Sequence, residues 1–223
     1  MSSCLGGSGN TSKPLRLGIL ISGRGSNMQA IVANIEAGRL AAEVAVVLCN
    51  HAEAPGLAWA RDRGLPSAAV ERRAYPSREA HDAAMARRLV EAGADLVVLA
   101  GYDRIIGRPI FDAFRGRIVN IHPSLLPAFP GSLHAQADAL EYGVKVSGCT
   151  VHFVTEGAVD AGPIILQAPV SVLESDTPES LAGRILEQEH KIYSQAIRLY
   201  AEGRLRLEGR RVRITEDPYV VAG

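Results

Sequence analysis

Apolar residues along this chain recur in two rhythms. Short continuous runs bounded by glycine, such as Leu15 to Ser22 (LRLGILIS), read as strands buried on both faces. Apolar positions three and four apart, such as Met28, Ile31, Val32 and Ile35, read as a helix with one face on a core. Glu43 to Asn50 then gives a second strand, Pro55 to Gly64 a short helix and Pro66 to Glu71 a weaker third strand. Ser77 can cap a long helix in which Ala84, Leu89 and Val90 face the core and Arg78, Glu79 and Asp82 sit in the first turn. Asp95 to Gly101 (DLVVLAG) is the most strand-like run and is expected at the centre of a sheet. The alternation of strand and helix predicts an α/β fold.

The second half continues the pattern. Arg117 to Phe129 (RIVNIHPSLLPAF) is a β-branched run that ends at Pro123, which removes a ladder donor and fixes φ. Leu125 to Leu133 is a loop stiffened by proline, and His134 to Gly143 resumes helix. Val144 to Thr155 alternates like a strand, with a bend or bulge expected at Gly148. A turn-rich loop from Glu156 to Pro163 leads to a last strong strand, Ile164 to Leu166. Thr177 and Pro178 cap a long helix reaching about Glu202, with Leu181, Ile185, Ile192, Ala196 and Leu199 at helical spacing. Gln188, Glu189 and His190 interrupt that stripe and read as a solvent face. After Gly203, RLRLEGRRVRI is an Arg-rich hairpin whose charge suits an edge strand better than a nucleic-acid surface.

At 223 residues the chain fits a single domain, taken as residues 14–214, with a polar leader over 1–13 expected to be disordered and a tail over 215–223. Lys plus Arg and Asp plus Glu are 24 each, so nothing in the balance draws nucleic acid or an anionic membrane, and any charged ligand must be held locally. Three cysteines without CxxC spacing argue against a disulfide framework or zinc site and point to a reducing compartment, the cytoplasm. No apolar run is long enough to cross a bilayer.

Chemistry concentrates at the strand ends. Asn120 and His122, two apart on a strand, point the same way at its exit, where open α/β sheets bind ligands. A strand end with satisfied polar groups would look the same. Gly23-Arg24-Gly25-Ser26-Asn27 joins the first strand to the first helix, a turn that lets backbone N–H groups approach an anion. Met28 stands where the dinucleotide fingerprint needs a third glycine, and no acid ends the next strand, so NAD is disfavoured. No Gly-Lys-Ser/Thr follows, which excludes a P-loop. A small phosphate ester remains, or merely a tight turn. Asp160 is the acid of interest, because a carboxylate beside an imidazole stabilises its protonated form. His152, inside a strand, reads as a packed residue, and Arg104 as a surface charge unless its rim is the site. The six histidines show no metal-ligand spacing, and Ser124 lies in no GxSxG elbow.

ISGRGSN, LAGYDRII, NIHPSLLPAFPG, GCTVHFV, DAGPIILQ and QEH, in this order and spacing, resemble the phosphoribosylglycinamide formyltransferase family of folate-dependent formyltransferases. The resemblance spans roughly Leu15 to Leu207. It implies a formyltransferase fold, a mostly parallel twisted sheet flanked by helices with a Rossmann-like N-terminal half. It implies 10-formyltetrahydrofolate as formyl donor and glycinamide ribonucleotide as acceptor, without metal, nucleic acid or membrane, in a monomer or homodimer. By position, Gly25, Ser26 and Asn27 match the loop for the ribonucleotide phosphate, and Glu189 the residue that recognises the glycinamide end. Arg78, Asp103, Arg104, Ile105 and Ile106 match the segments that hold the folate. Asn120, His122 and Asp160 match the catalytic trio, Asn120 also touching the folate, and the loop from Thr155 to Asp160 would close over the pterin. Position 103 is commonly apolar in the family, which leaves backbone contacts there. PGSLHAQ carries one residue more than the PGLH pattern.

The implied reaction is attack of the glycinamide amine on the formyl carbon, with Asn120 and protonated His122 aimed at the developing oxyanion. A formyltetrahydrofolate deformylase would use the same trio with water in place of the amine. It is expected to carry an N-terminal regulatory domain and a residue other than Pro123 after the histidine. Methionyl-tRNA formyltransferase would add an RNA-binding domain. A nucleotide-binding module without catalysis is the reading from another class.

Overall fold

The computed structural model describes residues 3–4, 13–157 and 159–215. In chain order the elements are β1 (Ser3–Cys4), β2 (Leu15–Ile21), α1 (Ser26–Glu36), β3 (Ala42–Cys49), α2 (Pro55–Asp62), β4 (Ser67–Ala69), α3 (Arg78–Glu91), β5 (Leu96–Leu99) and α4 (Arg108–Ala113). There follow β6 (Ile118–His122), α5 (Ala135–Tyr142), β7 (Val146–Phe153), β8 (Ile164–Ser171), α6 (Pro178–Ala201), β9 (Leu205–Glu208) and β10 (Arg211–Ile214). The result is the α/β architecture expected, seven mostly parallel strands flanked by helices. The chain forms two compact units, one of Pro14–Asn120 with Val154–Ala158, the other of Met1–Lys13, Ile121–Phe153 and Val159–Gly223.

In the unit that begins at Pro14, strands run in the order β4-β3-β2-β5-β6, all parallel. The four residues of β5 are all buried, which explains why this run reads so strongly as a strand. Among the described residues β4 pairs with β3 alone and keeps just three paired residues, fewer than Pro66 to Glu71 would allow. The core gathers Leu20, Leu48, Met85, Leu89, Val97, Phe114 and Ile118. A Cβ at Gly18 of β2 would overlap Leu89 Cδ2, so that buried side chain would have to shift. Ser77 caps α3, its Oγ accepting the Ala80 N–H at 3.0 Å. Val90 corrects the sequence reading: it is 57 % exposed. The face of α3 set by His81, Ala84, Met85 and Leu89 puts position 90 on the opposite side of the helix.

In the other unit, β7 and β8 form an antiparallel pair from Val146 opposite Ser171 to His152 opposite Ile164. The irregularity expected at Gly148 falls instead between Val151 and His152. Gly148 has a different cause, since a Cβ there would overlap the Ala168 carbonyl oxygen of β8. β8 also runs on past Leu166 to Ser171, alternating inward and outward residues. α6 starts in a capping box between Thr177 and Ser180 with Pro178 in its first turn, and buries Leu181, Ile185, Ile192, Tyr193 and Ala196. β9 pairs with β10 on one side and with Ser3–Cys4 on the other. The leader therefore contributes a short strand, while residues 1–2, 5–12 and 216–223 lie outside the described residues.

Candidate active site

Three groups of predicted residues take shape within the two units. The first is the glycine loop. Gly25 precedes α1 at φ 69°, a left-handed conformation that suits glycine, and its carbonyl accepts the Gln29 N–H at 2.9 Å. Gln29 Nε2 donates back to the Arg24 carbonyl at 3.0 Å. The Gly56 N–H of α2 donates to the Gly23 carbonyl at 3.0 Å, and a Cβ on Gly56 would press on that oxygen at 2.7 Å and on the Arg24 carbonyl at 2.9 Å. The loop is thus clamped from both ends, with Asn27 buried and Ser26 partly buried at the start of α1. First-turn N–H groups of a helix have no partner within it and favour an anion.

The second group lies after β5. Asp103 Oδ1 accepts from Ser22 Oγ and from Asn50 Nδ2, each at 2.8 Å, and His51 Nε2 stands 3.3 Å from Oδ2. Burial works to raise the Asp103 carboxyl, but hydrogen bonds from Asn50, Ser22 and His51 outweigh it and hold it below the usual carboxylate range. Arg78, expected on the folate, donates Nη2 to the Ile105 carbonyl at 2.6 Å. Its Nε lies 3.7 Å from the buried Asp82 carboxylate. Arg78 therefore ties the loop to α3. Ile105 is exposed and Ile106 buried, so the loop presents one apolar side chain outward and anchors the next.

The third group centres on His122, buried at the end of β6. Its Nδ1 lies 3.1 Å from Asp160 Oδ2 and its Nε2 lies 2.8 Å from the Phe129 carbonyl. Both partners are pure acceptors, so satisfying both requires a hydrogen on each ring nitrogen, the imidazolium form. Asp160 Oδ2 also accepts the Gly131 N–H at 2.8 Å, and its Oδ1 lies 3.5 Å from His152 Nε2. Burial works to raise the Asp160 carboxyl, and the His152 hydrogen bond, the Gly131 amide and the charge of His122 reverse this, holding it below the usual range. Asn120 shares the face of β6 with His122 and is partly buried, in register with Leu99 of β5.

The proline-stiffened loop after His122 is pinned by Thr150 of β7. Its Oγ1 donates to the Ser124 carbonyl at 2.7 Å and accepts the Leu126 N–H at 3.0 Å. Ser124 Oγ donates to the Ala128 carbonyl. The extra residue of PGSLHAQ is absorbed where Ser132 Oγ accepts the His134 N–H at 2.9 Å, so His134 precedes α5 as an exposed cap. Glu189 corrects the solvent-face reading: it is 7 % exposed, in the buried stripe between Ile185 and Ile192. The Thr155 to Asp160 segment contains residue 158, outside the described residues.

The structure brings together His122 and Asp160, which the family resemblance paired, and adds His152, the Phe129 carbonyl, the Gly131 amide and Gly56, which sequence reasoning misses. The DAGP motif offered one signal, since Gly162 cannot carry a Cβ without overlapping the Phe153 carbonyl, and that close approach brings the histidine beside Phe153 toward Asp160. Among the described residues no group of His, Cys, Asp and Glu could hold a metal ion, and no helix is long and apolar enough to cross a membrane.

A family model described as formyl transferase matches residues 15–197. The chain is 42 % identical over 189 residues to phosphoribosylglycinamide formyltransferase of Escherichia coli, covering 85 % of this chain and 88 % of that one. It is 46 % identical over 193 residues to trifunctional purine biosynthetic protein adenosine-3 of Drosophila pseudoobscura pseudoobscura, 86 % of this chain but just 14 % of that relative's length. The crystal structure of glycinamide ribonucleotide transformylase 1 from Symbiobacterium toebii is similar with a TM-score of 0.90 at 57 % identity, covering 96 % of this chain and all of that one.

Proposed function

Because the chain belongs to the formyl transferase family, we propose that it moves the formyl group of 10-formyltetrahydrofolate to the amine of glycinamide ribonucleotide. The products are N-formylglycinamide ribonucleotide and tetrahydrofolate, a step of purine biosynthesis. The observation that carries this reading is the buried contact of His122 Nδ1 with the Asp160 carboxylate, 3.1 Å apart, at the exit of a strand that also bears Asn120. Phosphate is assigned to the backbone N–H groups of Gly25, Ser26 and Asn27, and the glycinamide end to Glu189. The folate is assigned to Arg104, Ile105, Ile106 and Asn120, with Arg78 ordering their loop.

The amine nitrogen attacks the formyl carbon and the carbonyl oxygen takes up the negative charge. Asn120 and the His122 Nε2–H donate to that oxygen, which displaces the Phe129 carbonyl as partner of Nε2. Collapse of the intermediate breaks the bond to N10 of the folate. His122 gives its proton to that nitrogen and recovers one from the attacking amine. Asp160 stays ionised throughout, as its depressed carboxyl requires. The balanced formal charge of the chain and the free buried Cys49 and Cys149 fit a small-molecule enzyme of the cytoplasm.

The test is release of tetrahydrofolate from 10-formyltetrahydrofolate with and without glycinamide ribonucleotide. Release that depends on the amine is expected; amine-independent release would make the protein a hydrolase, and none would leave a binding module. His122→Ala should lower kcat about 100-fold, the effect of losing one oxyanion donor worth ~3 kcal/mol, with little change in KM for the ribonucleotide.

A further inference from the structure

The Asp103 carboxylate is bonded by side chains from two other strand ends. Ser22, directly after β2, donates Oγ to Asp103 Oδ1 at 2.8 Å and accepts the Asp103 N–H at 2.9 Å, a reciprocal pair. Asn50 and His51, directly after β3, supply a 2.8 Å hydrogen bond to Oδ1 and a 3.3 Å contact to Oδ2. Arg104 Nε lies 3.8 Å from Oδ1. One side chain thereby joins the loop after β5 to the ends of β2 and β3. The site is half open to solvent, with 45 % of the Asp103 and 49 % of the His51 side chain exposed. Bonds of this kind add little to global stability, so the fold does not depend on them.

The same loop is held at its other end by Arg78 on the Ile105 carbonyl. Arg104 and Ile105 are suspended between these two ties, and they belong to the segment assigned above to the formyl donor. We propose that Asp103 is a positioning residue for the donor, acting through the backbone of residues 104–106; this rests on the transferase reading. Without the carboxylate the loop keeps the Ser22 hydroxyl on the Asp103 N–H and Arg78 on the Ile105 carbonyl but loses its bonds to Asn50 and His51, so more of its order must be supplied by the folate on binding, a cost that falls on donor affinity. The ribonucleotide loop is clamped separately by Gly56 and α1, so acceptor affinity and the chemical step stay as they are.

Asp103→Leu, which keeps size and removes every acceptor, should raise KM for 10-formyltetrahydrofolate and weaken equilibrium binding of tetrahydrofolate about tenfold, the loss of one to two net hydrogen bonds. KM for glycinamide ribonucleotide and kcat at saturating donor should stay within about twofold. Asp103→Asn keeps an oxygen for Ser22 and Asn50 and should recover about half of the loss on a logarithmic scale. Unchanged donor KM, or equal rises in both KM values, would overturn the proposal. Should Asp103→Leu fail to fold, Asn50→Ala removes one tie and must raise donor KM about threefold; no rise overturns it too. If the wild-type protein transfers no formyl group, the functional reading falls by itself. Tetrahydrofolate binding then decides this inference, supported by weaker binding to Asp103→Leu and overturned by equal binding or by none to either protein.

Discussion

Replacing Asp160 by asparagine keeps the shape of the side chain and removes its charge. Oδ2 receives the Gly131 N–H at 2.8 Å and faces His122 Nδ1 at 3.1 Å, while Oδ1 faces His152 Nε2 at 3.5 Å. Two donors converge on Oδ2, so the amide oxygen must sit there and the NH2 group must face His152. That orientation is acceptable once His152 gives up the Nε2 hydrogen it turns toward the carboxylate: with the ring's hydrogen on Nδ1, 2.9 Å from the Phe153 carbonyl, Nε2 accepts from the NH2 group. The variant therefore fits, and its loss is electrostatic. Opposite charges about 4 Å apart at an effective dielectric of ~20 attract by roughly 4 kcal/mol, which at ~1.4 kcal/mol per decade caps the effect near 1,000-fold. The Gly131 contact survives, so kcat should fall about 100- to 1,000-fold, with KM for the ribonucleotide within about threefold. The assay is amine-dependent release of tetrahydrofolate. A variant that keeps a third or more of wild-type kcat would refute the reasoning. The same substitution reads out on stability. The folded carboxyl titrates below its unfolded value of ~3.9, so the ionised form contributes stability fully above that value and loses it as pH falls through the folded one. The gap in Tm between wild type and Asp160→Asn should be constant near neutrality and close below about pH 4.

Gly56→Ala should displace the Gly23–Arg24 carbonyls and raise KM for glycinamide ribonucleotide several-fold with kcat nearly unchanged; steady-state kinetics checks this. Gly162→Ala forces a Cβ onto the Phe153 carbonyl and should cost about 3 kcal/mol or more in urea unfolding. Burial raises the Cys49 thiol above its ordinary value, and burial helped by the charge of Glu189 pushes Cys149 up to about 12. Peptide mapping should therefore find both unmodified by iodoacetamide near neutral pH in the native protein, and both alkylated in denaturant. Val90→Lys, on the exposed face of α3, should change stability by no more than about 0.5 kcal/mol.

What could be read from the sequence was whatever is local. β5 is four buried apolar residues with a partner on each side, and the Ser77 and Thr177 caps act within one helical turn, so each announces itself in a short window. Asn120 and His122 follow from strand alternation alone. The rest depends on approach between distant segments. Val90 and Glu189 have the polarity of the face opposite to the one they occupy, and only the neighbours of α3 and α6 decide which way a helix turns. His152 reads as packed and is packed, yet its ring also reaches Asp160, and that meeting depends on the tight passage at Gly162. Gly148 was legible as an exception but not its cause, because the Ala168 carbonyl arrives from another strand.

Backbone strain at the site follows the same geometry. Among the described residues, Phe129 at φ 52° and Asp160 at φ 48° are the non-glycine positions with positive φ, a conformation costing roughly 1–2 kcal/mol each. These are the two residues whose acceptors hold opposite nitrogens of His122. Glycine at 160 would relieve the strain and delete the carboxylate. Glycine at 129 would keep the carbonyl and lose the Phe129 ring, which meets Tyr142 edge-on at 6.1 Å. The compensation is visible nearby: the Gly131 N–H fixes the Asp160 carboxylate, and the Ser124 hydroxyl fixes the turn before Phe129 through the Ala128 carbonyl. The strained conformations are thus held by bonds that do not involve substrate, so the imidazole is oriented before anything binds. A reaction that develops charge on one oxygen gains most from donors set in place beforehand.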